Sequence, residues 1–389
     1  MMNIICRKFG YYSLLFGKHL ATTRTRNYID KSLERLCSTM SNKPLDIGKE
    51  KTVLYNALPR IIDDLIKHSK FEEIPIAEEW VKKVMNGTLT GGKCARALTT
   101  VIAYKTVEKT ENINDETIRL AHSLAWCNEI FHTYCVLLDD IADGSSTRRG
   151  QPCWYKREDV GIAHATNDSV LLVTCMHKIL QNNFEKSSIY NKLYRTYNEC
   201  LLYTSFGQHL DIRGSTHEKN YNLFTIENYD DIVKYKSSYY TYLLPISVGL
   251  MLANHLDADS FEKCKEISFQ LGSLFQMQDD FLDCFGDETF IGKVGTDIQT
   301  GKCSWLAVKA LSLCDAKNRA VFSACYGSAE PAHIERIKQM YVQLQIPHHY
   351  KQKEIEISNS ILSTVEAIPS APERKLYRLI LDMTYDRKK

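Results

Sequence analysis

Residues 271–283 read Leu-Gly-Ser-Leu-Phe-Gln-Met-Gln-Asp-Asp-Phe-Leu-Asp, and their spacing decides the fold. Leu271, Leu274, Phe275 and Met277 lead into the acids at the steps of a helix, so Asp279, Asp280 and Asp283 continue a helical turn. On a helix the first and fifth residues of Asp-Asp-x-x-Asp stand one turn apart on one face, with the second about 100° round. The same device stands 140 residues earlier, where Tyr134-Cys135-Val136-Leu137-Leu138 runs into Asp139, Asp140 and Asp143. Acid clusters are ordinarily solvated surface. Here both sets are embedded in apolar helix, where a carboxylate is costly unless something cationic compensates it.

Working outward, the rest of the chain agrees with helix. Val53, Leu54, Leu58, Ile61, Ile62 and Leu65 recur at three- and four-residue steps, as do Leu120, Leu124, Cys127, Ile130 and Phe131. Only 18 glycines and 9 prolines in 389 residues leave little material for a loop-rich all-β design. No repeat of fixed period appears. The length alone would allow two or three domains, yet the helical pattern is continuous from about residue 47, and the reading is one all-α domain over 41–389. The most apolar stretch, 239–252, is interrupted by Pro245 and is too short to span a bilayer, so no transmembrane segment is expected.

With 49 Lys+Arg against 47 Asp+Glu and a formal net charge of +2, the chain lacks the basic excess of a nucleic-acid binder. Thirteen scattered cysteines without a Cys-x-x-Cys exclude a zinc ribbon and a thioredoxin-type pair, and fit reduced, partly buried residues of a cytosolic or organellar protein. The balance hides an asymmetry. Residues 1–29 hold Arg7, Lys8, Lys18, Arg24 and Arg26 and no acid, the composition of a mitochondrial transit peptide, which is the expectation for 1–40. Met40 offers an alternative start for a cytoplasmic form. Without those five bases, 44 bases face 47 acids.

If the two acid-bearing helices face each other, six carboxylates converge, and that calls for divalent metal. Hard oxygen donors with no His or Cys in the motif select Mg²⁺, which typically bridges carboxylate to a substrate phosphate. A diphosphate substrate needs cationic donors, and three elements are candidates. Gly91-Gly92-Lys93-Cys94-Ala95-Arg96 places Lys93 and Arg96 on the predicted opening turn of a helix, an anion site by charge and backbone N–H groups. Gly87 to Lys93 also approximates a Walker A loop, but Cys94 stands where Ser or Thr is needed and the segment before it reads as helix, so the P-loop is discounted. Arg148 and Arg149 follow the first acid motif. Lys234-Tyr235-Lys236-Ser237 is the third element, with Lys293 and Lys302 beyond the second motif.

Assembled, DDIADGSSTRRGQPCWY (139–155), VKYKSSYYTYLLP (233–245) and the blocks from 275 to 305 resemble the short-chain trans-isoprenyl diphosphate synthases, the farnesyl diphosphate synthase branch of animals most of all. The resemblance covers residues 50–389. It implies a homodimeric all-α, isoprenoid-synthase-type helical bundle with the acid motifs facing across a central cavity. It also implies that Asp139, Asp140, Asp143, Asp279, Asp280 and Asp283 hold Mg²⁺, three ions per site, on an allylic diphosphate, with Arg148, Lys236, Gln276, Lys293 and Lys302 as donors. Gly92, Lys93, Arg96 and Arg149 match the family's pocket for isopentenyl diphosphate, and Lys236, Ser237, Gln276 and Tyr240 match positions beside the chemistry. The implied reaction ionises the allylic diphosphate and transfers the prenyl group to isopentenyl diphosphate, giving geranyl or farnesyl diphosphate.

Several positions depart from the animal pattern. His132 replaces a Gln before the first motif, Tyr134 and Cys135 replace paired Phe residues expected to limit product length, and Ala97 replaces Gly. Asp386 interrupts the basic C-terminal tail. His132 remains able to bond a phosphate. Two other readings stay open. Terpene synthases that resemble this family ionise geranyl or farnesyl diphosphate without a second substrate, and a non-catalytic homologue would act as a regulatory partner. Retained Lys93, Arg96 and Arg149 favour prenyl transfer over the first; intact acid motifs speak against the second.

Overall fold

The computed structural model describes residues 46–215, 220–286 and 295–386. Residues 51–389 form one compact unit. Residues 1–45, Lys293 and the side chain of Asp386 lie outside what is described, and with them the expected leader.

Helix follows helix: α1 (Ile47–His68), α2 (Pro75–Leu89), α3 (Ala95–Val107), α4 (Asp115–Ala142), α5 (Gly161–Phe184), α6 (Tyr190–Gly214) and α7 (Ile226–Ile232). Then come a π-helical stretch (Val233–Leu243), α8 (Leu244–Leu252), α9 (Ala258–Phe285), α10 (Asp297–Thr300), α11 (Trp305–Leu313), α12 (Ala316–Cys325), α13 (Pro331–Gln343), α14 (Ile346–Glu366) and α15 (Ala371–Asp386). Among the described residues the only strands are β1 (Thr147–Arg148) and β2 (Gln151–Pro152), a hairpin that pairs Arg148 with Gln151. Arg149 and Gly150 between them both have positive φ, 54° and 72°, the twist a two-residue turn needs to close antiparallel strands. The expected helical stripe of α1 is buried at Leu54, Leu58, Ile61, Ile62 and Leu65, while Val53 turns outward.

Both acid motifs sit at the C-terminal ends of 28-residue helices. The α4 helix starts on a reciprocal cap, the Asn114 side chain accepting the Thr117 N–H while Thr117 accepts that of Asn114. It stops at Asp143, after which Gly144 turns with φ 64°. Helix C-termini carry partial negative charge, so three acids there raise the local potential unless cations answer them.

The π-helical stretch lies between α6 and α9, and both neighbours come in backbone-close. A Cβ on Gly207 of α6 would stand 2.1 Å from the Lys236 amide nitrogen, and one on Gly272 of α9 would stand 1.9 Å from the Ser238 Oγ. Glycine is required at both crossings by space alone. Wide helical turns of this kind are rare and cluster at functional sites.

Candidate active site

The first acid motif is answered by lysines from two other elements. Lys236 Nζ, on the π-helical stretch, donates to Asp139 at 2.8 Å and to Asp211 of α6 at 2.6 Å. Lys302 Nζ, just before α11, donates to Asp143 at 2.8 Å and to the same Asp211 oxygen at 2.7 Å. Asp211 is thus the pivot of a ring of five charges, and carboxylate oxygens of Asp139, Asp143 and Asp211 lie within 4.8 Å of one another. Burial alone would raise Asp139, but Lys236 and Lys302 hold it below the usual carboxylate range; Asp211 is lowered in the same way. Asp143 goes up, through burial and the neighbouring Asp139. Both lysines are raised despite burial by the carboxylates around them.

Arg148 and Asp140 form a separate pair. Asp140, 3% exposed, accepts from Nε of Arg148 at 3.0 Å and from its Nη2, while Nη2 lies 3.9 Å from Asp139. Asp140 turns aside from the Asp139–Asp143 face, as its 100° offset requires.

In the second motif Asp280 is 4% exposed and accepts from the Gln276 amide at 3.0 Å and from the Trp305 backbone N–H at 2.8 Å, which seats it on the N-terminus of α11. Burial pushes its carboxyl up to about 7. Gln276 in turn accepts from the Ser237 hydroxyl at 2.9 Å, so Ser237, Gln276 and Asp280 link the π-helical stretch to the second motif. Asp283 accepts the Asp297 N–H at 2.9 Å and that of Thr296 at 3.3 Å, at the start of α10. Asp279, its expected partner one turn back, is part-exposed.

The other expected donors gather about α3. That helix begins at Ala95, because Cys94 takes a left-handed φ of 50°, so Lys93 precedes the helix instead of opening it. Arg96 is buried, donates to Thr241 at 2.9 Å and to the Tyr240 hydroxyl at 3.2 Å, and its guanidinium lies 4.6 Å from the Tyr240 ring centroid. Tyr240 stacks on Phe131 at 5.6 Å and on His132 at 5.9 Å. His132 Nδ1 and Arg96 Nε are buried with no hydrogen-bond partner, on two side chains that both lie against the Tyr240 ring. Burial, then Arg96 and Arg149, drive the His132 imidazole far below its ordinary value, so it is neutral. Arg149 lies against Gly92 and donates to the carbonyl of Thr90 at 2.9 Å. Tyr134 meets Phe131 edge to face at 6.2 Å, and Cys135 is enclosed enough for its thiol to be raised.

Sequence reading passed over Asp211 and Gln208, whose amide donates to Asp139 at 3.1 Å. Their signal was present. Thr204, Gly207 and Asp211 fall at helical steps on the buried stripe of α6, and an acid on such a stripe calls for a partner. It also passed over Glu129, which accepts the Ala97 N–H at 3.1 Å and caps α3 where Cys94 does not.

The sequence profile of the polyprenyl synthetase family matches residues 78–344. A farnesyl pyrophosphate synthase of Murgantia histrionica is 37% identical over 352 residues, 90% of this chain and 86% of that protein. Farnesyl pyrophosphate synthase 1 of Cannabis sativa is 35% identical over 339 residues, 87% of this chain and 99% of that protein. Among solved structures, T. brucei farnesyl diphosphate synthase complexed with risedronate superposes with a TM-score of 0.81 at 29% identity, covering 87% of this chain and 99% of the other. The all-α fold expected from the acid-bearing helices is the fold of these enzymes.

Proposed function

The chain belongs to the polyprenyl synthetase family, and from that premise we propose that it transfers an allylic prenyl group to isopentenyl diphosphate, giving farnesyl diphosphate. The observation that carries the reading is the juxtaposition of two cationic groups around one carboxylate-rich face. Lys236, Lys302 and Arg148 stand at the first acid motif, while Arg96 bonds the Tyr240 hydroxyl and Arg149 lies against Gly92. A terpene synthase acting on a single diphosphate has no use for the second group, and the relatives quoted above are prenyltransferases.

The donor set suits Mg²⁺: the clustered ligand atoms of Asp139, Asp143 and Asp211 are all carboxylate oxygens, hard donors, with no competing His or Cys. Asp279 and Asp283 are the proposed holders from the second helix, with Asp140 and Asp280 bonded behind them. Bound there, Mg²⁺ supplies charge neutralisation of the leaving diphosphate. The chain's own residues do the rest. Lys236, Lys302 and Arg148 turn their donors from carboxylates to the departing diphosphate oxygens, a charge-assisted exchange of partners. Ser237 fixes the Gln276 amide beside that site. Tyr240 holds Arg96 in place, its hydroxyl accepting from the guanidinium and its ring lying 4.6 Å beneath it. Isopentenyl diphosphate, held by Lys93, Arg96, Arg149 and neutral His132, attacks the allylic carbon through its double bond, and the carbon beside the resulting cation gives its proton to the departed diphosphate, which re-forms a double bond. Lys293 is proposed as a further donor on resemblance alone.

Three further proposals attach to this reading. The enzyme works as a homodimer, which is supported by outward apolar side chains on α5 and α6 such as Val170, Leu202 and Phe206. Residues 41–389 are the catalytic domain, and residues 1–40 direct the chain to mitochondria. The functional test pairs two variants. Asp139→Ala should abolish turnover, whereas Lys93→Ala should raise KM for isopentenyl diphosphate by about tenfold to a hundredfold with allylic KM little changed, the loss expected of one charge-assisted bond. Equal rises in both KM values would overturn the division of roles.

A further inference from the structure

Arg149 is presented by a two-residue turn, and something has to fix that turn against the Gly92–Arg96 segment. Its own bonds to the Thr88 and Thr90 carbonyls, 3.3 and 2.9 Å, lie on exposed groups. The buried fixture lies at the hairpin's base. The Trp154 ring is seated against Gly87 so closely that a Cβ there would stand 2.6 Å from it. Arg157 lies 4.6 Å over that indole and donates to the Gly87 carbonyl at 3.4 Å. The Trp154 indole N–H donates at 2.7 Å to one oxygen of Asp168, and the Trp80 N–H donates at 2.7 Å to the other. Asp168, on α5, is 0% exposed, and its two oxygens are taken by neutral indole donors in place of a cation. A carboxylate buried on such terms is costly, and it joins three elements, α2, α5 and the segment leading out of the hairpin.

We infer that Asp168 is a positioning residue for the second-substrate side: by holding Trp154 under Gly87 it sets the separation between the Arg149 turn and the Gly92–Arg96 segment. The inference rests on the proposed isopentenyl diphosphate pocket. Arg148, on the same hairpin, has an independent anchor in Asp140, so the allylic side does not depend on the clamp. Two variants test this. In Asp168→Asn the amide accepts from one indole and sets its own N–H₂ against the other. Trp154→Phe keeps a ring under Gly87 and drops the N–H.

Amide hydrogen exchange on the full-length protein reads the clamp without substrate. Residues 86–93 and 145–153 should exchange about tenfold faster in both variants, with 271–283 unchanged, as the loss of one buried charge-assisted bond predicts. Steady-state kinetics should then show KM for isopentenyl diphosphate raised about tenfold and KM for the allylic diphosphate within about twofold of the parent. Unchanged exchange, equal acceleration everywhere, or equal rises in both KM values would overturn the assignment. Should the parent protein fail to consume isopentenyl diphosphate, the functional reading falls, while exchange still decides the role of Asp168.

Discussion

At the residue scale, charges decide which side chains matter. Asp211 holds two lysines on one oxygen, and those lysines reach Asp139 and Asp143, so ion pairs as well as apolar packing join four elements. His132 makes the opposite choice and is buried neutral beside Arg96 and Tyr240. The sign of its contribution to stability follows. Its folded value lies below the unfolded value of about 6.5, so as pH falls through about 6.5 the unfolded chain gains a proton that the folded chain does not. Stability from this group is present above that pH and is lost toward about pH 5. His132→Gln should therefore make the fall of Tm between about pH 6.5 and 5 shallower than in the parent; an unchanged slope would contradict the neutral assignment. The acids of both motifs were legible as candidates because apolar flanks made them expensive, and the bases because a diphosphate needs cationic donors near them. Asp211 was not, because a single acid in a polar-looking helix declares its burial only when the stripe it shares with Thr204 and Gly207 is followed.

At the element scale, the π-helical stretch explains why Lys236, Ser237 and Tyr240 serve different tasks from one segment. Its wide turns send Lys236 to the first motif, Ser237 to Gln276 and Tyr240 to Arg96. Helical periodicity made the segment readable as helix, but periodicity does not separate a π turn from an α turn. Glycine at the flanking crossings makes room for it. By propensity alone Gly207→Ala should stabilise α6 by about 1 kcal/mol. Instead the added methyl meets the Lys236 amide nitrogen, and overpacking of this kind costs about 1–3 kcal/mol. The expected outcome is a lower Tm together with a larger KM for the allylic diphosphate, as Lys236 is displaced; a higher Tm with unchanged kinetics would refute the close crossing. The start of α3 was misplaced in sequence by two residues, since nothing in Gly92-Lys93-Cys94 announces a left-handed Cys94.

At the scale of the whole molecule, two helices of equal length end in equal motifs; the hairpin, the π-helical stretch and the segment before α11 supply the cations at the first, while Gln276 and the backbone N–H groups of Thr296, Asp297 and Trp305 answer the second. That much was visible in sequence as repeated motif plus nearby bases. The pairing of particular bases with particular acids was not, because it depends on which helices become neighbours. The acid-free leader stands apart from this account. A fusion of residues 1–40 to a fluorescent protein should reach mitochondria, and diffuse cytoplasmic signal would favour the form begun at Met40.

The central claim is two-substrate prenyl transfer. Its most direct measurement supplies Mg²⁺ with geranyl diphosphate, in one vessel alone and in another with isopentenyl diphosphate, and identifies the products by mass. The account predicts farnesyl diphosphate and released diphosphate only in the vessel holding both substrates. A hydrocarbon or alcohol formed from geranyl diphosphate alone, with no elongated product when isopentenyl diphosphate is added, would contradict it.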